Sequence, residues 1–114
     1  MSKQYKEITT DISTYMTKLR QEIPGVMNGF SAMAQAATQD GALDKKAKEL
    51  IALALGVAAR CDGCIGFHVQ TLVKLHVTRQ ELLEVLGMAI YMGGGPSLMY
   101  AADALRAFEQ ATAV

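Results

Sequence analysis

The chain has 114 residues, 51% of them hydrophobic, and its 11 Lys and Arg offset 11 Asp and Glu to leave a formal net charge of zero. That length suits one domain, residues 1–114, and the charge balance leaves no basic stripe of the kind that tracks nucleic acid. The longest apolar run, Leu50 to Ala59, is ten residues, against the ~20 that a bilayer requires, so neither a nucleic acid nor a membrane is expected as partner.

The first ten residues carry Lys3, Gln4, Lys6 and Glu7, which leaves no apolar segment for a secretory signal. A soluble, cytoplasmic protein is expected. Ile8, Ile12, Tyr15, Met16 and Leu19 recur at spacings of three and four, the pattern of an amphipathic helix. Pro24 and Gly25 end it. Val26 to Ala37 reads as a second helix, with Met27, Phe30, Met33 and Ala37 on one side. Gln39 to Ala42 is a loop.

Asp44 suits an N-cap, opening a helix that runs through Glu49 to about Ala59. From Leu50 onward that helix is apolar nearly all round, which predicts burial. Arg60 to Gly63 interrupts the pattern, and Cys64 to about Leu75 resumes it. Thr78 with Glu81 predicts a capping box. The helix after it carries Leu82, Leu83, Leu86 and Ile90 to about Met92. Gly93, Gly94 and Gly95 stop it, and Pro96 suits the first turn of a last helix directing Leu98, Met99, Ala102, Leu105 and Phe108 inward. Met88, Met92 and Met99 read first as core filling and second as a pocket or helix seam. No strand signal is sustained. The fold class is all-α, about six helices with short connections. The apolar surplus on so short a chain further predicts a homo-oligomer.

Chemistry concentrates in the segment from Glu49 to His68. Cys61 and Cys64 form a C-x-x-C pair where a helix begins. Unpaired backbone N–H groups and the positive end of the helix dipole favour thiolate there. Gly63 and Gly66 are expected to relax the backbone at that turn. His68 stands four residues after Cys64, on the same helical face, where an imidazole can take and return a proton. Glu49, taken alone, reads as a solvated residue on the Lys-rich face, but beside Leu50, Ile51 and Leu53 a carboxylate is costly unless paired, and His68 or a thiol through water would be its partner. The same residue types also compose a metal half-site, with His76 as a distant further ligand. His76 reads more simply as a residue of the helix end.

The spacing Glu49-x11-Cys61-x-x-Cys64-x3-His68 resembles that of alkylhydroperoxidase D and its relatives in the carboxymuconolactone decarboxylase superfamily. The Lys-rich helix start, the apolar helix, CDGCIGFH and the helix start at Thr78 to Glu81 are similar too, so that the resemblance spans a core of about residues 42–108. It implies an all-α bundle assembled as trimers or hexamers, and thiol-dependent reduction of hydroperoxides at the expense of a dithiol or protein reductant, with no cofactor and no metal. It implies that Cys64 attacks the peroxide, that Cys61 supplies a proton and then closes the disulfide, and that Glu49 and His68 relay protons. Alkylhydroperoxidase D itself has a histidine immediately before the second cysteine, where Gly63 stands, a departure that bears on peroxidase efficiency and on docking to a peroxiredoxin. Two rival functions are a γ-carboxymuconolactone-type decarboxylase using His68 and Glu49 as acid and base, and a non-catalytic oligomer whose cysteines sense redox state or bind metal.

Overall fold

The computed structural model describes residues 2–113, which form six helices: α1 Tyr5–Glu22, α2 Pro24–Ala37, α3 Lys45–Ala58, α4 Asp62–Lys74, α5 Arg79–Gly93 and α6 Gly95–Thr112. The fold class is all-α, as the periodicity predicts, with no strand among the described residues.

The helix starts follow local chemistry. The Asp44 side chain accepts the Ala47 N–H at 2.8 Å, satisfying one of the orphan donors of α3. Thr78 and Glu81 close the predicted capping box in both directions, at 3.1 Å and 2.8 Å. Two boundaries move. Pro24 does not merely end α1; it is the first residue of α2, where its missing N–H costs nothing. α4 begins at Asp62, ahead of the expected Cys64, because Cys61 is itself the N-cap.

α4 packs against α1, α3 and α6, while α5 packs against α3 and α6. Leu53, Val57, Ile65, Val69, Leu72 and Leu82 are the largest fully buried side chains. Each contributes on the order of 2 kcal/mol of hydrophobic stabilisation. Phe108 and a row of alanines on α6 (Ala101, Ala104 and Ala107) complete this core; the small side chains let α6 approach α4 and α5 closely.

The helices also leave apolar faces uncovered, and here several expectations are corrected. α2 buries no residue and touches only α1 among the described elements. Phe30 is 64% exposed, Met33 60%, and Tyr15 and Leu19 of α1 are exposed as well. α3 is not buried all round, since Ile51 and Leu55 face outward. Leu83, Leu98 and Met99 lie on the surface, as do Met88 and Met92, so the methionines near the glycines do not fill this chain's core. The periodicity of these helices marks apolar faces correctly, but it does not say what covers them. No described helix is long and apolar enough to cross a membrane.

Candidate active site

The connection between α3 and α4 delivers both cysteines. The Arg60 N–H donates to the Val57 carbonyl and the Cys61 N–H to the Gly56 carbonyl, at 3.1 Å and 3.0 Å. This is the paired pattern of a Schellman motif, and it needs a left-handed residue at its turn. Arg60 supplies it, with φ of 57°. The chain therefore reverses in one step, and the residue after the reversal caps the next helix. The Cys61 sulfur accepts the Cys64 N–H at 3.1 Å. A sulfur in that position sits against the positive end of α4, which stabilises negative charge on it.

Cys61 and Cys64 are joined as a disulfide, with their Cα atoms 5.2 Å apart. The contact that sets the depth of Cys64 comes from α3: a Cβ built on Gly56 would lie 3.0 Å from the Cys64 Cβ. Gly56 is a residue that the sequence reading passed over. A glycine inside an otherwise unbroken apolar helix is itself a signal of close approach by another element. Gly63 and Gly66 do not relax the turn as expected, since both lie inside α4 and neither has a positive φ. Gly66 instead admits α1, because a Cβ there would meet the Thr9 Cγ2 at 2.5 Å.

His68 lies one turn beyond Cys64 on α4, and Glu49 lies on α3. Glu49 is 5% exposed, and its Oε2 accepts from His68 Nδ1 at 2.6 Å. A carboxylate in that environment is tolerated because it is paired; no buried side-chain nitrogen or oxygen among the described residues lacks a partner. A carboxylate at Nδ1 favours the tautomer that carries its proton there, which leaves Nε2 free to accept. The four residues singled out from the sequence thus come from two packed helices and the turn between them. His76 stands apart from them at the C-terminal turn of α4, with φ of 62°. Among the described residues no three His, Cys, Asp or Glu side chains gather as a metal-binding group.

A second group of charged residues reaches the same helix end. Lys3 Nζ donates to Asp62 Oδ1 at 2.9 Å and to Asp103 Oδ2 at 2.8 Å, and the Tyr5 hydroxyl donates to the same Asp62 oxygen at 2.8 Å. Asp62 is the residue between the cysteines that follows Cys61. The hydrogen bond to Asp103 does most to raise the Lys3 pKa, against the opposing effect of burial. Burial and the bond to Asp62 push the Tyr5 phenol far above its ordinary value, so it remains a donor. These partners lie 59 and 100 residues apart in the chain, and nothing in the local pattern marks them. A groove of about 860 Å³ runs between α1, α4 and α6 and is lined by hydroxyls such as Thr10, Ser13 and Thr14. None of Glu49, Cys61, Cys64 or His68 lines it.

Comparison with known proteins gives concordant results. The profile of the carboxymuconolactone decarboxylase family matches residues 24–107. An uncharacterized protein of Cupriavidus necator is 42% identical over 109 residues, covering 90% of this chain and 96% of that protein. An uncharacterized protein of Haemophilus influenzae is 32% identical, covering 91% and 92%. In three dimensions the chain is similar to a carboxymuconolactone decarboxylase family protein from Legionella pneumophila in its apo form, with a TM-score of 0.95 and 68% identity over 97% of this chain and 99% of that one. A Thermotoga maritima family protein, itself a candidate for a part in antioxidative response, shares the fold at a TM-score of 0.80 and 24% identity, over 90% of this chain and 87% of that one.

Proposed function

The chain belongs to the carboxymuconolactone decarboxylase family as an alkylhydroperoxidase D-like member, and on that footing we propose that it is a thiol-dependent hydroperoxide reductase. The observation that carries the reading is the Cys61–Cys64 disulfide at the start of α4, one turn from an imidazole oriented by the buried Glu49. Two sulfurs that close a bond beside a proton carrier are what a two-electron reduction of a peroxide needs.

In the reduced protein, His68 Nε2, held by Glu49, takes the Cys64 proton through water. The Cys64 thiolate attacks the terminal peroxide oxygen. A sulfur–oxygen bond forms and the oxygen–oxygen bond breaks. The leaving alkoxide takes the proton and departs as an alcohol, leaving Cys64 sulfenic acid. Cys61 then attacks the Cys64 sulfur, the disulfide forms and water leaves. An external dithiol returns two electrons and two protons, becoming a disulfide itself. The helix cap on the Cys61 sulfur favours its release as thiolate during that reduction.

The uncovered apolar faces of α1, α2 and α3 fit a homo-oligomer, trimer or hexamer, in which second copies cover Phe30, Met33 and Leu55. Such a surface on a soluble chain is costly unless a partner buries it.

The test is turnover of cumene hydroperoxide with a dithiol, following peroxide loss. Cys64→Ser and Cys61→Ser should each abolish turnover, and unchanged turnover in both would remove the mechanism. Decarboxylation needs no thiol. Turnover of a γ-carboxymuconolactone that survives complete thiol alkylation would reassign Glu49 and His68 to acid–base work on that substrate.

A further inference from the structure

We propose that Lys3 is a positioning residue for the cysteine pair, acting through Asp62 to keep the charge around the Cys61 sulfur balanced. The inference rests on the reading of Cys61 and Cys64 as a working dithiol, but it concerns thiol reactivity and not the peroxide.

The problem that Lys3 solves is electrostatic. Asp62 is the first residue of α4, immediately after the N-cap Cys61. A carboxylate there suits the helix dipole, but it also repels a thiolate on the neighbouring cysteine. Like charges on adjacent side chains repel, and near a protein surface solvent screens that repulsion only in part. Lys3 places its ammonium on that carboxylate, and Tyr5 adds a neutral hydroxyl donor.

The rest of the surroundings supports this role. Around this helix end stand Lys3 and Tyr5 from the N-terminal segment and α1, Asp103 and its neighbour Arg106 from α6, and Arg60 immediately before Cys61; the Glu49–His68 pair joins α3 to α4 further along the helix. Arg106 Nε lies 3.7 Å from Asp103 Oδ1. Lys3, Asp62, Asp103 and Arg106 together carry no net charge. Without Lys3, these side chains carry a net charge of −1, with Asp62 next to Cys61 in the chain.

The placement of Lys3 is over-determined, unlike that of an ordinary surface lysine. Gln110 of α6 grips its backbone from both sides, donating to the Lys3 carbonyl at 2.7 Å and accepting the Tyr5 N–H at 2.9 Å. The ammonium also lies 4.8 Å from the centre of the Tyr100 ring, a cation–π contact. The chain start is thereby fastened across α6 onto the turn that carries the cysteines.

The test isolates Cys61 in a Cys64→Ser background of the full chain and measures its alkylation by iodoacetamide from pH 5 to 10. The sulfur–carbon bond forms as iodide leaves, and the rate follows the thiolate fraction. Lys3→Met should raise the apparent pKa of Cys61 and slow alkylation at pH 7 about threefold. Lys3→Arg should restore both. Adding Asp62→Asn to Lys3→Met should also restore them, because the charge that Lys3 balances is then gone. Thermal melts of each variant separate a charge effect from unfolding, and the Arg variant reports the role even if the Met variant melts early. An unaltered profile in Lys3→Met would overturn the proposal, as would a defect that persists undiminished with Asp62→Asn. Failure of hydroperoxide turnover in the native chain with this pattern intact would count against the proposed reaction alone.

Discussion

Gly56 of α3 and Cys64 of α4 meet where a methyl group would be crowded: a Cβ on Gly56 would lie 3.0 Å from the Cys64 Cβ and 3.7 Å from the Cys64 carbonyl carbon. Helix propensity alone would make Gly56→Ala stabilising by about 1 kcal/mol. The contact reverses the sign, because the opposing atom is a Cβ fixed to the α4 backbone and cannot swing away. Gly56→Ala should lower stability by roughly 1 kcal/mol net and slow reduction of the disulfide, since α4 must shift at its first turn. Urea melts and the rate of reduction by dithiothreitol check both effects. A gain in stability would mean that α3 and α4 separate easily at this point.

Glu49 orients His68 through a 2.6 Å hydrogen bond. Glu49→Gln keeps the shape and can still accept from Nδ1, but it removes the charge that supports the imidazole as a proton carrier. Hydroperoxide turnover should fall about 100-fold, with little change in the melt. Turnover within twofold of the native chain would remove Glu49 from the proton path.

The Thr78–Glu81 capping box predicts a pH dependence of stability. The Thr78 backbone N–H, and then Lys46 at 2.9 Å, hold the Glu81 carboxyl below its ordinary value of 4.5. A depressed folded-state pKa contributes stability that is complete above the unfolded value and is lost as pH falls through the folded one. The melting temperatures of the native chain and Glu81→Gln should therefore differ at pH 7 and converge only after the pH has fallen through the depressed folded-state value. Thr78→Ala, which removes the other half of the box, should lower the melting temperature by about 5 °C.

Phe30 and Met33 stand on a helix that touches only α1 among the described elements. If copies of the chain cover that face, Phe30→Glu with Met33→Glu should shift the sedimentation coefficient to that of a monomer while leaving the helical circular dichroism largely intact. A native chain already sedimenting as a monomer of 12.3 kDa would end the proposal of an oligomer.

The fold class and most helix limits are legible in the sequence because they are local. Asp44 and Thr78 satisfy donors three residues away, and of the three glycines at 93–95 it is Gly94, with φ of 74°, that separates α5 from α6. The Cys61–Cys64 disulfide and the Glu49–His68 contact likewise join residues that the sequence singles out. Cys61 caps α4, and Cys64 and His68 follow on its successive turns, so their shared side of the helix follows from helix geometry. Glu49 is betrayed by the cost of a carboxylate in an apolar helix.

Sequence by itself could not say which apolar faces this chain buries. Leu53 and Leu55 look alike in the pattern, yet one is fully buried and the other 65% exposed, because only the packing of α3 on α4 and α5 distinguishes the two sides. Nor could it bring Lys3 to Asp62 and Asp103, or seat Gly56 against Cys64. Those contacts join residues from different helices, and their geometry is fixed only when the helices have packed. The sequence determined the elements and the chemical groups they carry; tertiary structure decided which groups meet, because no local rule acts across a gap of 100 residues.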